Sequence, residues 1–162
     1  MKKLIFITSI ILFANNVFAK AIFVGERHAF KTIQQALLNV EDGDSVLVDA
    51  GHYHEKNIII DKTIFLIGLN HPVLDGDNKY EIISIKANGA VVDGFKLIRS
   101  GISSIEDYAG IKIYGCRDVI VRNNILEETF FGIYSQYGTN CIIENNKLTA
   151  YSKVEQESGN GI

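Results

Sequence analysis

The chain is 162 residues long, with 16 lysines and arginines against 19 aspartates and glutamates, for a net charge of −3 at neutral pH. That length builds one domain with a core and is too short for two, and the acidic balance offers phosphate backbones no counter-charge, which argues against a nucleic-acid partner. Proline occurs once, tryptophan is absent and Met1 is the one methionine; short β-branched runs broken by Gly, Asn and Asp predict many short strands joined by tight turns.

Residues 1–19 read as an export signal. Lys2 and Lys3 form a positive start, an apolar run follows from Leu4 to Phe13, and Val17-Phe18-Ala19 places small residues where a signal peptidase reads them, so cleavage is expected after Ala19. The uninterrupted run is too short to cross a bilayer, and Asn15 and Asn16 break it. No cysteine follows the cleavage site to carry a lipid. After cleavage the protein is expected to have no membrane-spanning segment and to reside in the periplasm, with fourteen basic residues against nineteen acidic ones.

The mature part, residues 20–162, opens on a short helix. Thr32-Ile33-Gln34-Gln35 has the form of a capping box, with Thr32 as N-cap and Gln35 three residues on. Ile33, Ala36, Leu37 and Val40 then make one apolar face at helical spacing. Glu41-Asp42-Gly43-Asp44 ends the helix, and Ser45 to Val48 is expected to begin the first strand. Just beyond, His52 and His54 stand at i and i+2, so both imidazoles can face one metal ion from a strand. Two ligands make a weak signal, and a plain surface strand or turn is the alternative.

A repeat dominates the rest. An offset of 22 carries Gly110-Ile111-Lys112-Ile113 onto Gly132-Ile133-Tyr134-Ser135, Val119–Asn124 onto Cys141–Asn146, and Leu126 onto Leu148. Going back 29 residues, Ala90–Gly94 aligns with Val119–Asn123; going back 26 more, Ile64–Gly68 aligns with Ala90–Gly94. Units of this length with two or three short strands, and without leucine-rich spacing, predict an all-β fold: a right-handed, single-stranded parallel β-helix, closed at its start by the short helix. Leu66, Val92, Val121 and Ile143 are expected to stack as one inward ladder, and Leu97, Leu126 and Leu148 as another. Asn123, Asn124, Asn145 and Asn146 fall at a corner, where Asn or Gly tolerates left-handed geometry; Gly68 and Gly94 occupy the first of these corner positions.

The units differ in length at one corner. Leu97 to Gly110 and Leu148 to Gly161 are each 13 residues, against 6 from Leu126 to Gly132. The extra residues project as loops carrying Glu106, Asp107 and Tyr108 in one and Tyr151, Glu155 and Glu157 in the other. Loops on one face of a solenoid are its usual partner-binding surface, and tolerated insertions are the alternative. Glycine 161 and Ile162 open another unit, so the coil is expected to be truncated and its C-terminal end uncapped. Cys116 and Cys141 occupy non-equivalent positions, and an extended run from Cys116 to Val119 would hold the two about 10 Å apart, so they are expected to be separate buried thiols.

Phe30-Lys-Thr-Ile-Gln-Gln-Ala-Leu, Gly43-Asp44-Ser-Val-Leu-Val, Gly51-x-Tyr53-x-Glu55 and Leu66-Ile67-Gly68 resemble the start of pectin-lyase-like β-helices. Val92-Asp93-Gly94-Phe95, the long insertion, Gly110–Ile113, Phe131-Gly132-Ile133-Tyr134 and Glu157–Ile162 resemble NosD, the periplasmic maturation factor of nitrous-oxide reductase. The resemblance implies a non-enzymatic accessory protein that works with nitrous-oxide reductase and a membrane ABC transporter in assembling a copper–sulfur centre, with copper as the metal handled. It carries over no catalytic or cofactor-binding residue. A polysaccharide-active enzyme, a pectin lyase or esterase with its active site in a missing C-terminal part, is the rival reading. The paired carboxylates and Gly-His-Gly such enzymes use are absent here.

Overall fold

A computed structural model describes residues 19–103 and 105–150. The predicted signal, apart from Ala19, and Tyr151, Glu155, Glu157 and the Gly161-Ile162 unit lie outside the described residues. The described chain is a right-handed parallel β-solenoid. It opens on β1 (Ala21–Val24) and α1 (Ile33–Leu37). The first full turn is β2 (Ser45–Val48), β3 (His52–Tyr53) and β4 (Ile58–Ile60). The second is β5 (Phe65–Gly68), β6 (Val73–Asp75) and β7 (Ile83–Ile85), and the third is β8 (Val91–Asp93), β9 (Lys96–Ile98) and β10 (Ala109–Tyr114). The fourth is β11 (Ile120–Arg122), β12 (Ile125–Glu127) and β13 (Phe131–Gln136), followed by β14 (Ile142–Glu144) and β15 (Lys147–Thr149).

Each turn contributes one strand to each of three parallel sheets, in the orders β1-β2-β5-β8-β11-β14, β3-β6-β9-β12-β15 and β4-β7-β10-β13. Because side chains alternate along a strand, one residue in two points inward and stacks on its equivalent one turn away. Ile22, Val46, Leu66, Val92, Val121 and Ile143 form the ladder of the first sheet in unbroken register. Tyr53, Leu74, Leu97, Leu126 and Leu148 form that of the second. Ile58, Ile83, Ile111 and Ile133 form that of the third. The middle of every ladder is fully buried, while Ile143 and Leu148 in the last described turn are half-buried.

The first strand precedes the helix rather than following it. Ala21-Ile22-Phe23-Val24 is too short to register in the repeat, yet it pairs along its whole length with β2. Helix α1 packs against β1, β2 and β4 and buries Ile33 and Ala36. Thr32 caps it as expected, accepting the Gln35 amide at 3.2 Å. Gln35 reaches back to the Lys31 amide at 3.3 Å instead of to Thr32. The remaining first-turn amides go to a residue 22 positions on: Glu55 accepts Ile33 N at 2.7 Å and Gln34 N at 2.9 Å.

The Asn corner holds at Asn123 and Asn145, with φ of 56° and 54°, and at Gly94, with φ of 81°. Gly68 differs. It lies inside β5, and the left-handed residues of that turn are Asn70 and His71. A Cβ on Gly68 would stand 2.6 Å from the Gly94 carbonyl oxygen and 2.8 Å from Pro72 Cδ, so this glycine answers to close packing. Asn124 points inward and is 1% exposed. Its Oδ1 accepts Phe95 N at 2.9 Å, and its Nδ2 donates to Val92 O at 3.2 Å and to Asn146 Oδ1 at 3.0 Å. Asn146 repeats the pattern by donating to Val121 O at 2.9 Å.

Candidate metal centre

The inward Tyr53 fixes the direction of its neighbours. With Tyr53 in the second ladder, His52 and His54 both face outward, and their rings stack at 4.5 Å with 13° between planes. One turn on, inward Leu74 sends Asp75 outward to the same place, and His52 Nε2 lies 3.1 Å from Asp75 Oδ2. A ligating atom from each of His52, His54 and Asp75 falls within 4.8 Å of the other two. The next residues complete the surroundings: Asp77 Oδ1 is 3.2 Å from His54 Nδ1, and Arg99, another turn along, forks Asp75 through Nε to Oδ1 at 3.0 Å and Nη2 to Oδ2.

Two imidazoles and one carboxylate suit a borderline divalent ion such as Zn2+ or Cu2+. At metal–ligand bonds of about 2.0–2.2 Å, tetrahedral ligand atoms stand about 3.3 Å apart. The His52–Asp75 pair is already near that spacing, at 3.1 Å, and the two edges to His54, within 4.8 Å, can be closed by a rotamer adjustment of this exposed side chain. Asp77 supplies the carboxylate that commonly orients a ligating imidazole through its other nitrogen. Asp75 is 1% exposed. Burial alone would push its pKa up, but the Arg99 guanidinium, the Asp77 amide and His52 outweigh that and hold the carboxyl below the usual aspartate range. It is therefore ionised at neutral pH. A cleft of about 460 Å³, lined by Glu26, Arg27, Lys31, Asp49 and Tyr53, opens on His52 and gives access to that side.

The sequence offered His52 and His54 and missed Asp75, Asp77 and Arg99. A signal existed: β3 pairs with β6 at an offset of 21, so extending the repeat one unit toward the N-terminus would have set Asp75 beside His54. The loop between β9 and β10 places Glu106 and Asp107 in solvent, while Tyr108 lies against Gly101 and the Asp107 carbonyl accepts Lys112 Nζ at 3.3 Å. None of the three approaches the histidine cluster.

Both cysteines are free, as expected, although Cys141 Sγ lies 3.8 Å from the Cys116 carbonyl oxygen, much closer than an extended run from Cys116 to Val119 would allow. Cys116 is buried, whereas Cys141 is only half-buried.

A second polar group lies outside the third sheet, where Ser84, Lys112 and Tyr134 stack in register. Glu81, 5% exposed, accepts from Ser84 Oγ and from Tyr114 Oη at 3.0 Å, with Lys112 Nζ 4.0 Å away. Lys112 rests between the rings of Tyr114 and Tyr134, 4.8 and 5.1 Å from their centroids. Burial pushes the Glu81 carboxyl up despite these partners, and burial together with the Glu81 charge pushes Tyr114 up to about 12. The sequence showed Lys112 beneath Tyr134 but gave no reason to place Glu81 there.

No protein-family model, no curated protein and no solved structure matches the chain.

Proposed function

We propose that this protein is a periplasmic accessory β-helix of the NosD kind, which handles copper as cargo during assembly of the copper–sulfur centre of nitrous-oxide reductase, in concert with a membrane ABC transporter. The observation that carries the reading is the convergence of His52, His54 and Asp75 from two successive turns, with Asp77 behind His54. The residues named in the resemblance to NosD supply the partners. His52 and His54 are half in solvent, at 50% and 53% side-chain exposure, so the ion is held in an open, shallow site. An open site of three ligands suits transient loading and release better than storage, and micromolar rather than tighter binding is expected.

The experiment is genetic. In the host, deleting the gene should leave nitrous-oxide reductase short of its copper–sulfur centre. The wild-type gene should restore the centre, and a gene carrying H52Q and H54Q together should not. Full assembly in the deletion strain would refute the accessory role.

The Glu81–Lys112–Tyr114 group favours a second reading, a polysaccharide-active protein, because aromatic rings beside a lysine and a buried carboxyl suit an acidic sugar. Release of oligosaccharides from an acidic polysaccharide by the purified protein, abolished by E81Q, would establish it in place of the first.

A further inference from the structure

Arg99 stands where a metal at the histidine cluster would put its charge. Asp75 Oδ2 accepts both Arg99 Nη2 and His52 Nε2, and Oδ1 accepts Arg99 Nε at 3.0 Å and the Asp77 amide at 2.9 Å. Both oxygens thus carry two contacts each, the full capacity of a carboxylate. An ion ligated by His52 Nε2 and Asp75 Oδ2 takes the place of the contact between them. The guanidinium on the same oxygen is then left about 4 Å from a divalent charge in a partly desolvated setting, a strongly repulsive arrangement.

A second carboxylate lies within reach. Arg99 Nη2 is 3.6 Å from Asp77 Oδ1. Asp77 is itself well exposed, with a side chain 41% open to solvent, so receiving the guanidinium costs it little desolvation. Asp77 and Arg99 both hold left-handed φ, 52° and 55°, in the turns that follow β6 and β9.

We infer that Arg99 is the metal-free site's resident counter-ion, and that a divalent ion loads by exchange, taking Asp75 while Arg99 moves onto Asp77. This rests on the metal reading proposed above and adds a specific role to it. Arg99 is a positioning residue that weakens the site on purpose-neutral physical grounds: it holds the buried carboxylate when the ion is gone and competes with the ion when it arrives. The exchange makes binding reversible without any change of fold. It also discriminates by charge, since a monovalent ion gains less from Asp75 and so fails to displace a guanidinium held by two hydrogen bonds.

The test compares the full chain, as exported, with R99Q, R99K and D77N, using Cu2+ alone as the probe in calorimetric titration and thermal unfolding with and without the ion. Removing the competitor should tighten Cu2+ binding about tenfold or more in R99Q, the scale of a lost charged hydrogen bond. R99K keeps the charge but not the fork and should fall between R99Q and the wild type. Metal-free R99Q should unfold at lower temperature because Asp75 is left unpaired, and Cu2+ should raise its Tm by more than it raises that of the wild type. D77N should weaken Cu2+ binding severalfold with a small change in metal-free Tm. If the wild type and R99Q both fail to bind Cu2+, the metal reading falls and this inference with it. Wild-type binding that depends on His52 and His54 but is unchanged in R99Q and R99K overturns the exchange alone.

Discussion

Asn123 and Asn124 are neighbours of one type with opposite duties, and replacing them separately probes the coil's corner. Asn124→Ala removes the acceptor of the buried Phe95 amide, its one partner among the described residues, and the donor to Val92 O and to Asn146 Oδ1. One orphaned buried amide costs about 1–3 kcal/mol, and the lost donor adds about 1 kcal/mol more, so a total near 3 kcal/mol is expected. At about 2–4 °C per kcal/mol for a domain of this size, Tm should fall by roughly 10 °C. Asn123 is exposed with φ of 56°, and its side chain donates to Asp93 Oδ1 at 2.9 Å, its one side-chain hydrogen bond among the described residues. Asn123→Gly fits the same backbone and should change stability by less than about 1 kcal/mol. Urea and thermal unfolding followed by far-UV circular dichroism measure both. Equal losses from the two substitutions, or a loss below about 1 kcal/mol for Asn124→Ala, would refute the inward ladder of amides as a support of the turns.

Further outcomes follow from packing and charge. Gly68→Ala forces a Cβ to within 2.6 Å of the Gly94 carbonyl oxygen and should cost about 2 kcal/mol or more, whereas Gly115→Ala, with φ of 60° and open space around it, should cost about 1 kcal/mol; chemical denaturation separates them. The Glu81 pKa is raised in the folded state, so the folded protein binds the extra proton and stability falls as pH rises from the unfolded-chain glutamate value through the folded one. The stability of E81Q relative to wild type should therefore rise across that window and level off above it, as denaturation at a series of pH values will read. A thiol reagent should modify half-buried Cys141 first and reach buried Cys116, whose pKa burial pushes up, only as the protein unfolds. Signal cleavage after Ala19 would convert Lys20 N, 2.8 Å from the buried Asp44 carboxylate, into an α-ammonium. Protein beginning at Lys20 should then have a higher Tm than protein bearing one extra N-terminal residue, and D44N should abolish the difference.

Much of the coil was legible because its core obeys one rule. A residue such as Val121 must meet Val92 on one side and Ile143 on the other, so apolar identity repeats at the length of a turn and can be counted. Of the four corner asparagines, Asn123 and Asn145 were legible for the same reason, since left-handed geometry recurs there, whereas Asn124 and Asn146 are not left-handed and serve inward hydrogen bonds instead. What escaped is whatever occurs once. The strand Ala21–Val24 has a neighbour on one side only within its sheet, so it leaves no repeated signature. The helix cap by Glu55 is a contact across 22 residues that local capping rules do not see. At the candidate site, His52 and His54 share a strand face and were visible as a pair. Asp75 was hidden, because its outward place between Leu74 and Gly76 follows only from the register of β3 on β6. Gly68 was misread because a glycine needed for room and one needed for φ look alike in a sequence.

The most direct test of the metal reading is a titration of the protein with Cu2+ by electron paramagnetic resonance and calorimetry, beside H52Q, H54Q and D75N. One equivalent bound with nitrogen hyperfine structure from two imidazoles, at micromolar affinity and lost in each variant while the fold survives, is the predicted result. The absence of saturable binding, or binding that persists when His52, His54 and Asp75 are each replaced, would contradict it.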